Sequence, residues 1–144
     1  MTGQPPIEFV RPAGLYRDAP YAYAAVAPAG RLVFSAGACP LDPDGIVVGT
    51  GDLEAQARQA LANLFEALDA SGASAADVLK TTVYVVTSSQ DDLVRVWAVV
   101  QGAFAPSDPP STLLGVAVLG YTNQLVEIEA VALAPAQSGS APSP

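Results

Sequence analysis

The sequence predicts a two-layer α+β domain in which a six-stranded mixed sheet carries two helices on one face. Three observations predict it. Apolar residues recur at helical spacing in two stretches, 53–68 and 93–104. Segments rich in β-branched and aromatic residues lie before, between and after those stretches. Their order, β-β-(β)-α-β-α-β-β, sets two helices against one sheet, which bury their apolar faces as two layers.

Residues 22–28 (AYAAVAP) and 31–36 (RLVFSA) flank Ala29-Gly30, and the second stretch alternates polar and apolar. That pattern predicts a hairpin turned at Pro28-Ala29-Gly30. The run CPLDPDGIVVGTGD that follows is dense in Pro, Gly and Asp and reads as a loop with one short strand at Ile46–Val48. Asp52 is placed to cap the first helix, its carboxylate accepting orphan amide protons. Leu53, Ala57, Ala60, Leu61, Leu64 and Leu68 make one apolar stripe, with Arg58, Gln59, Asn63, Glu66 and Asp69 elsewhere on the wheel. Gly72 is the expected terminator.

Leu79–Thr87 reads as a strand. Ser88 or Ser89 should cap the second helix, with Asp91 and Asp92 at its positive dipole end and Leu93, Val96, Trp97, Val100 and Phe104 as its stripe. Residues 105–111 (APSDPPS) break it, because proline cannot continue a helix. Thr112–Leu119 and Gln124–Leu133 are the closing strands, joined by a turn at 120–123. In the last strand Leu125, Glu127, Glu129, Val131 and Leu133 share one face. Two helices cover only the other, so this face is where a subunit contact and a site are expected.

The 144 residues suit one domain, expected over 1–133, with the small-residue tail 134–144 (APAQSGSAPSP) disordered. Hydrophobic residues make up 51% and charged residues 14%, below the roughly 25% charged of an average chain, so some surface is expected to hide in an oligomer. The net charge of −8, with Lys80 the single lysine, excludes nucleic acid and anionic membrane as partners, since both require clustered Lys and Arg. The lone cysteine, Cys39, forms no internal disulfide and fits a reducing, cytoplasmic setting. With no histidine there is no Ser-His or Cys-His pair, and no metal site is expected. The N-terminus lacks a secretory pattern, and no run approaches the ~18 apolar residues of a membrane helix.

Several segments in combination resemble the RidA (YjgF-type) family: Pro20-Tyr21 ahead of a strand, LVFSAGACPLDPDG at 32–45, GDLEAQARQALANLFEALDASGAS at 51–74, DVLKTTVYV at 77–85, PPSTLLGV at 109–116 and LVEIEAVA at 125–132. The resemblance covers residues 20–133. It implies a chorismate-mutase-like fold, a homotrimer with small-molecule clefts between subunits, no cofactor, and hydrolysis of reactive enamines or imines to carbonyl compounds and ammonia.

The match also implies a divergent member. Deaminating relatives carry P-x-R-S before the closing strands, and the Arg grips the substrate carboxylate; here Pro110 stands in that slot, and a proline cannot imitate a two-pronged cationic clamp. Trp97 replaces a common Asn, and Ala38-Cys39 stand where Gln and an aliphatic residue are common. The resemblance makes Glu127 the group that orients or activates water and Tyr21 a site hydroxyl. It makes Gly37, Ala38 and Cys39 a source of backbone amides, and sets Trp97, Pro110, Ser111 and Thr112 along the cleft. Cys39 reads as a small site-lining residue, Glu129 as structural, and Arg17 as a candidate replacement for the missing Arg. The expected function is therefore a RidA-like hydrolase with a non-standard substrate. A non-catalytic metabolite-binding trimer and a pathway-specific biosynthetic enzyme are the alternatives.

Overall fold

Strand and helix placement follows the alternation of buried and exposed residues along the chain. The computed structural model describes residues 6–136. Its elements are β1 (Glu8–Val10), β2 (Ala24–Val26), β3 (Arg31–Phe34), α1 (Leu53–Ala70), β4 (Val78–Val86), α2 (Gln90–Phe104), β5 (Ser111–Val116) and β6 (Val126–Ala134), with a 3₁₀ turn at Ala75–Asp77.

Six strands and two helices are present among the described residues, as the sequence predicts, but the strands divide between two sheets. A four-stranded mixed sheet runs β3-β6-β4-β5, and β1 pairs with β2 in a separate two-stranded sheet. The central strands β4 and β6 are antiparallel, with Tyr84 opposite Glu127 and Thr82 opposite Glu129. The parallel pair β4–β5 is joined through α2, the crossover that parallel strands need. Val83 and Val85 of β4 and Val126, Ile128, Ala130 and Ala132 of β6 are buried beneath the helices. Alternate residues of the same strands, among them Tyr84, Glu127 and Glu129, point to the open face.

The expected hairpin is not formed. β2 pairs with β1 (Glu8↔Val26), and β3 pairs with β6 (Arg31↔Ala134). Ala29-Gly30 therefore marks a change of sheet, and a three-residue strand such as β1 is too short to show a periodicity. Residues 46–48 supply one bridge, Leu41↔Val47, in place of a strand. β6 runs through Ala134, which is buried, one residue beyond the strand expected to end at Leu133; residues 137–144 of the expected tail lie outside the described residues.

The α1 stripe from Leu53 to Leu68 is buried as expected, and Asp52 caps the helix by accepting from the Ala55 amide at 3.0 Å. At its other end Gly72, with φ +82°, closes a Schellman motif in which Ala73 N–H donates to Leu68 O (2.9 Å) and Gly72 N–H to Asp69 O (3.0 Å). In α2, Ser89 holds the cap position but its side chain makes no cap bond. The Thr87 hydroxyl instead ties the helix start together, accepting from Ser89 N–H (2.9 Å) and donating to the Asp92 carboxylate (2.8 Å). Among the described residues no helix is long and apolar enough to cross a membrane.

Candidate active site

The open face of the sheet holds the first group of site residues. After β3 the chain stays beside β6, where Ser35 N–H donates to Ala130 O (3.0 Å) and Ala38 exchanges bonds with Ile128 at 2.7 and 3.1 Å. Phe34 is opposite Val131 and Ala38 opposite Ile128, so the three residues 35–37 span only two positions of β6. That one-residue bulge re-aims the strand, and bulges of this kind recur beside active sites. Gly37 comes to lie under Glu127, and Cys39 comes within reach of it.

Glu127 is half-buried, and its two oxygens are treated unequally. Cys39 Sγ donates to Oε1 at 3.0 Å, and Gln124 Nε2 donates to the same oxygen at 3.2 Å. Oε2 accepts no hydrogen bond among the described residues and lies over Gly37, where a Cβ would come within 2.6 Å of it. Burial, then the hydrogen bond to Glu127 and that carboxylate's charge, push the Cys39 thiol from 9.0 up to about 11, so it stays protonated at neutral pH. Glu129, two residues on, accepts from the Tyr84 hydroxyl at 2.7 Å. That bond, with some burial, raises the Tyr84 phenol above its ordinary value. Of the three backbone amides expected at the site, Ala38's is committed to Ile128 O, which leaves those of Gly37 and Cys39.

The second group lies on the helix side, at the β5 edge. Pro20, Tyr21, Trp97, Ser111 and Leu113 line a recess of about 330 Å³. Tyr21 meets the Trp97 ring edge-on, with centroids 6.4 Å apart. Ser111 is opposite Thr81, whose hydroxyl donates to Ser111 Oγ at 2.6 Å. Pro110 is buried, and its carbonyl accepts from Thr81 N–H at 3.0 Å. A proline fits here, just ahead of the edge strand β5, where a missing N–H costs no ladder bond. Thr112 faces the open side and accepts from Lys80 Nζ at 2.6 Å. Arg17 is exposed; the arginine brought to this corner is Arg11, paired with Asp108.

The candidate residues thus separate. Glu127, Gly37 and Cys39 cluster on the open face, while Tyr21, Trp97 and Ser111 cluster behind the β5 edge. A wider groove of about 740 Å³ runs between α1 and α2, beside the Glu54–Arg95 ion pair. Its carboxylate, Glu54, has both oxygens taken by Arg95, at 2.8 Å each, so unlike Glu127 it leaves no oxygen without a donor.

This geometry has relatives. A family model described as Endoribonuclease L-PSP matches residues 14–134. A crystal structure from Yersinia pestis, YyfB of the conserved Rid protein family, superposes with a TM-score of 0.83 at 34% identity, covering 88% of this chain and 98% of that one. The chain belongs to the RidA/YjgF family. A RutC family protein from Pyrococcus horikoshii is 36% identical over 110 residues, 76% of this chain and 85% of that protein. A Salmonella typhimurium relative named 2-iminobutanoate/2-iminopropanoate deaminase is 34% identical over 107 residues, 72% of this chain and 80% of its own length.

Three polar residues of this RidA/YjgF chain escaped the sequence reading. Gln56, fully buried on α1, donates to Asn123 O (2.9 Å) and Gly49 O (3.3 Å) and accepts from Leu125 N–H (2.7 Å). Asn63 donates to Cys39 O (2.8 Å) and Leu41 O (2.9 Å). Gln124, also buried, accepts from Tyr121 N–H (3.1 Å) besides reaching Glu127. The available signal was Gln56 itself, a polar side chain next to Ala57 and four residues before Ala60 on an apolar stripe.

Proposed function

We propose that this RidA/YjgF protein is a cofactor-free hydrolase of reactive imines or enamines that releases ammonia, acting in the cytoplasm as a homotrimer. The observation that carries this reading is the Glu127 carboxylate, with one oxygen held by two donors and the other left over Gly37. Such a carboxylate suits general-base work on water. Water adds across the C=N bond of the protonated imine as Oε2 takes one of its protons. That proton is returned to nitrogen, the C–N bond breaks with its electron pair leaving on ammonia, and the hydroxyl proton passes to that ammonia, giving a carbonyl compound and ammonium. Tyr21 lies behind the β5 edge, so a site using both Tyr21 and Glu127 draws them from neighbouring subunits. The relative named 2-iminobutanoate/2-iminopropanoate deaminase supports the reaction class.

The substrate lacks the carboxylate of a 2-imino acid or binds it without an arginine clamp. Pro110 is buried with its carbonyl in the β4–β5 ladder, and the residues lining the Tyr21–Trp97 recess include no cation. The same features favour a second reading, a trimer that binds an uncharged metabolite without chemistry. Ammonia release from an imine generated in situ by an amino-acid oxidase, measured with wild type, Glu127→Ala and Pro110→Arg, separates them. Acceleration by wild type that Glu127→Ala abolishes supports the hydrolase. Inertness of wild type together with a gain in Pro110→Arg places the natural substrate outside the imino acids. Inertness of all three removes imino-acid hydrolysis and leaves binding.

A further inference from the structure

Cys39 is the unexplained member of the Glu127 group. A thiol in a cleft invites a nucleophilic reading, yet the chain has no histidine to take its proton, and its surroundings hold it in the neutral form. A protonated thiol has one hydrogen to give. It points at the carboxylate (3.0 Å to Oε1), with the Gly37 carbonyl a more distant alternative at 3.6 Å. Gln124 Nε2 shares that oxygen and is itself fixed, since the residue is buried and also bonded to Val126 O (3.1 Å) and Tyr121 N–H (3.1 Å). Gly37 forms the floor, where any Cβ would come within 2.6 Å of the carboxyl carbon.

We infer that Cys39 is a positioning residue for Glu127: its neutral S–H, with the Gln124 amide, holds Oε1 and leaves Oε2 as the oxygen that takes the proton of the attacking water. The inference deepens the hydrolase reading and rests on it for its catalytic consequence, while the thiol–carboxylate bond stands independently. The proton that moves in the reaction goes to Oε2 and the thiol keeps its own throughout, so no sulfur intermediate forms. An oxygen donor of similar size replaces the thiol without changing the chemistry; an aliphatic side chain of similar size does not.

The test uses two readouts on the full chain. Infrared spectroscopy of the S–H stretch is unambiguous because the protein has one cysteine. The band of wild type is expected to lie at the low frequency of a thiol bonded to a charged acceptor, and to move to higher frequency in Glu127→Gln. A wild-type band at the free-thiol position, or one unmoved in Glu127→Gln, overturns the inference. In the imine assay, Cys39→Val is expected to lose kcat by about tenfold or more with KM little changed, the effect of losing a hydrogen bond to a charged group. Cys39→Ser is expected to recover most of that loss, and equal loss in both variants overturns the positioning role. Should wild type fail to hydrolyse any imine, the hydrolase reading falls and the infrared result alone decides whether Cys39 holds Glu127.

Discussion

Gly37 forms the floor beneath the Glu127 side chain: a Cβ there would lie 2.6 Å from both the carboxyl carbon and Oε2, and 2.9 Å from Cγ. Gly37→Ala therefore displaces the carboxylate from its donors while leaving the hydrophobic core untouched. An ångström of misplacement at a reacting group can cost ~100-fold in rate, so kcat for imine hydrolysis is expected to fall by about that factor. The melting temperature should change little. Full activity of Gly37→Ala would mean that the position of Glu127 is immaterial.

Gln56→Leu tests the polar brace inside α1. The substitution keeps volume but takes the acceptor from the Leu125 amide and a donor from the carbonyls of Asn123 and Gly49, the last of which keeps its bond from Asp52 N–H. Losing these bonds at a fully buried side chain should cost about 2 kcal/mol, and lower the melting temperature by several degrees. Denaturant titration measures it; a loss below ~1 kcal/mol would show that the freed groups find new partners.

Alkaline pH should weaken the fold in a defined window. The Cys39 thiol is raised from 9.0 to about 11, chiefly by burial and then by Glu127, so the native state binds that proton more tightly than the unfolded chain. This contribution is intact below 9.0 and is lost as pH rises through about 11. Tyr84, raised chiefly by its bond to Glu129, titrates in the same sense at still higher pH than its ordinary value. Chemical denaturation of wild type and Cys39→Val along this range should show the steeper decline in wild type. Identical slopes would remove Cys39 from the coupling. Alkylation by iodoacetamide should likewise be slow at neutral pH and accelerate only toward the alkaline end.

Gly72→Ala probes the end of α1. The residue sits at φ +82°, a left-handed conformation in which a Cβ crowds the backbone. A cost of about 1 kcal/mol is expected, read as a shift of the denaturation midpoint with unchanged activity. A neutral substitution would show that the motif can re-form with another residue.

What the sequence disclosed follows from how local each signal is. The α1 stripe from Leu53 to Leu68 and its caps, Asp52 and Gly72, are encoded within a few turns of one helix, and they fold as their spacing dictates. Glu127 was marked by the LVEIEAVA segment and its place on the open face by simple alternation. Its donors were not legible as such. Cys39 and Glu127 are 88 residues apart, and their contact depends on the bulge at 35–37. The hairpin that does not form has a related origin: Ala29-Gly30 has the composition of a turn, while β2 pairs back with Glu8–Val10, across residues 11–23. Pro110 was visible as an anomaly, but that its carbonyl joins the ladder at Thr81 required the parallel register of β4 and β5.

The brace residues of α1 carry one more consequence. Asn63 grips the carbonyls of Cys39 and Leu41, and Gln56 grips Asn123 and Leu125, so both stretches flanking Glu127 are tied to a single helix. Their amide protons should then exchange with heavy water on the schedule of α1 itself. Leu125 N–H, held by Gln56, should be as slow to exchange as the amides around Leu64. The proposed site would then open only when the helix beneath it opens, so its rigidity would come from the core.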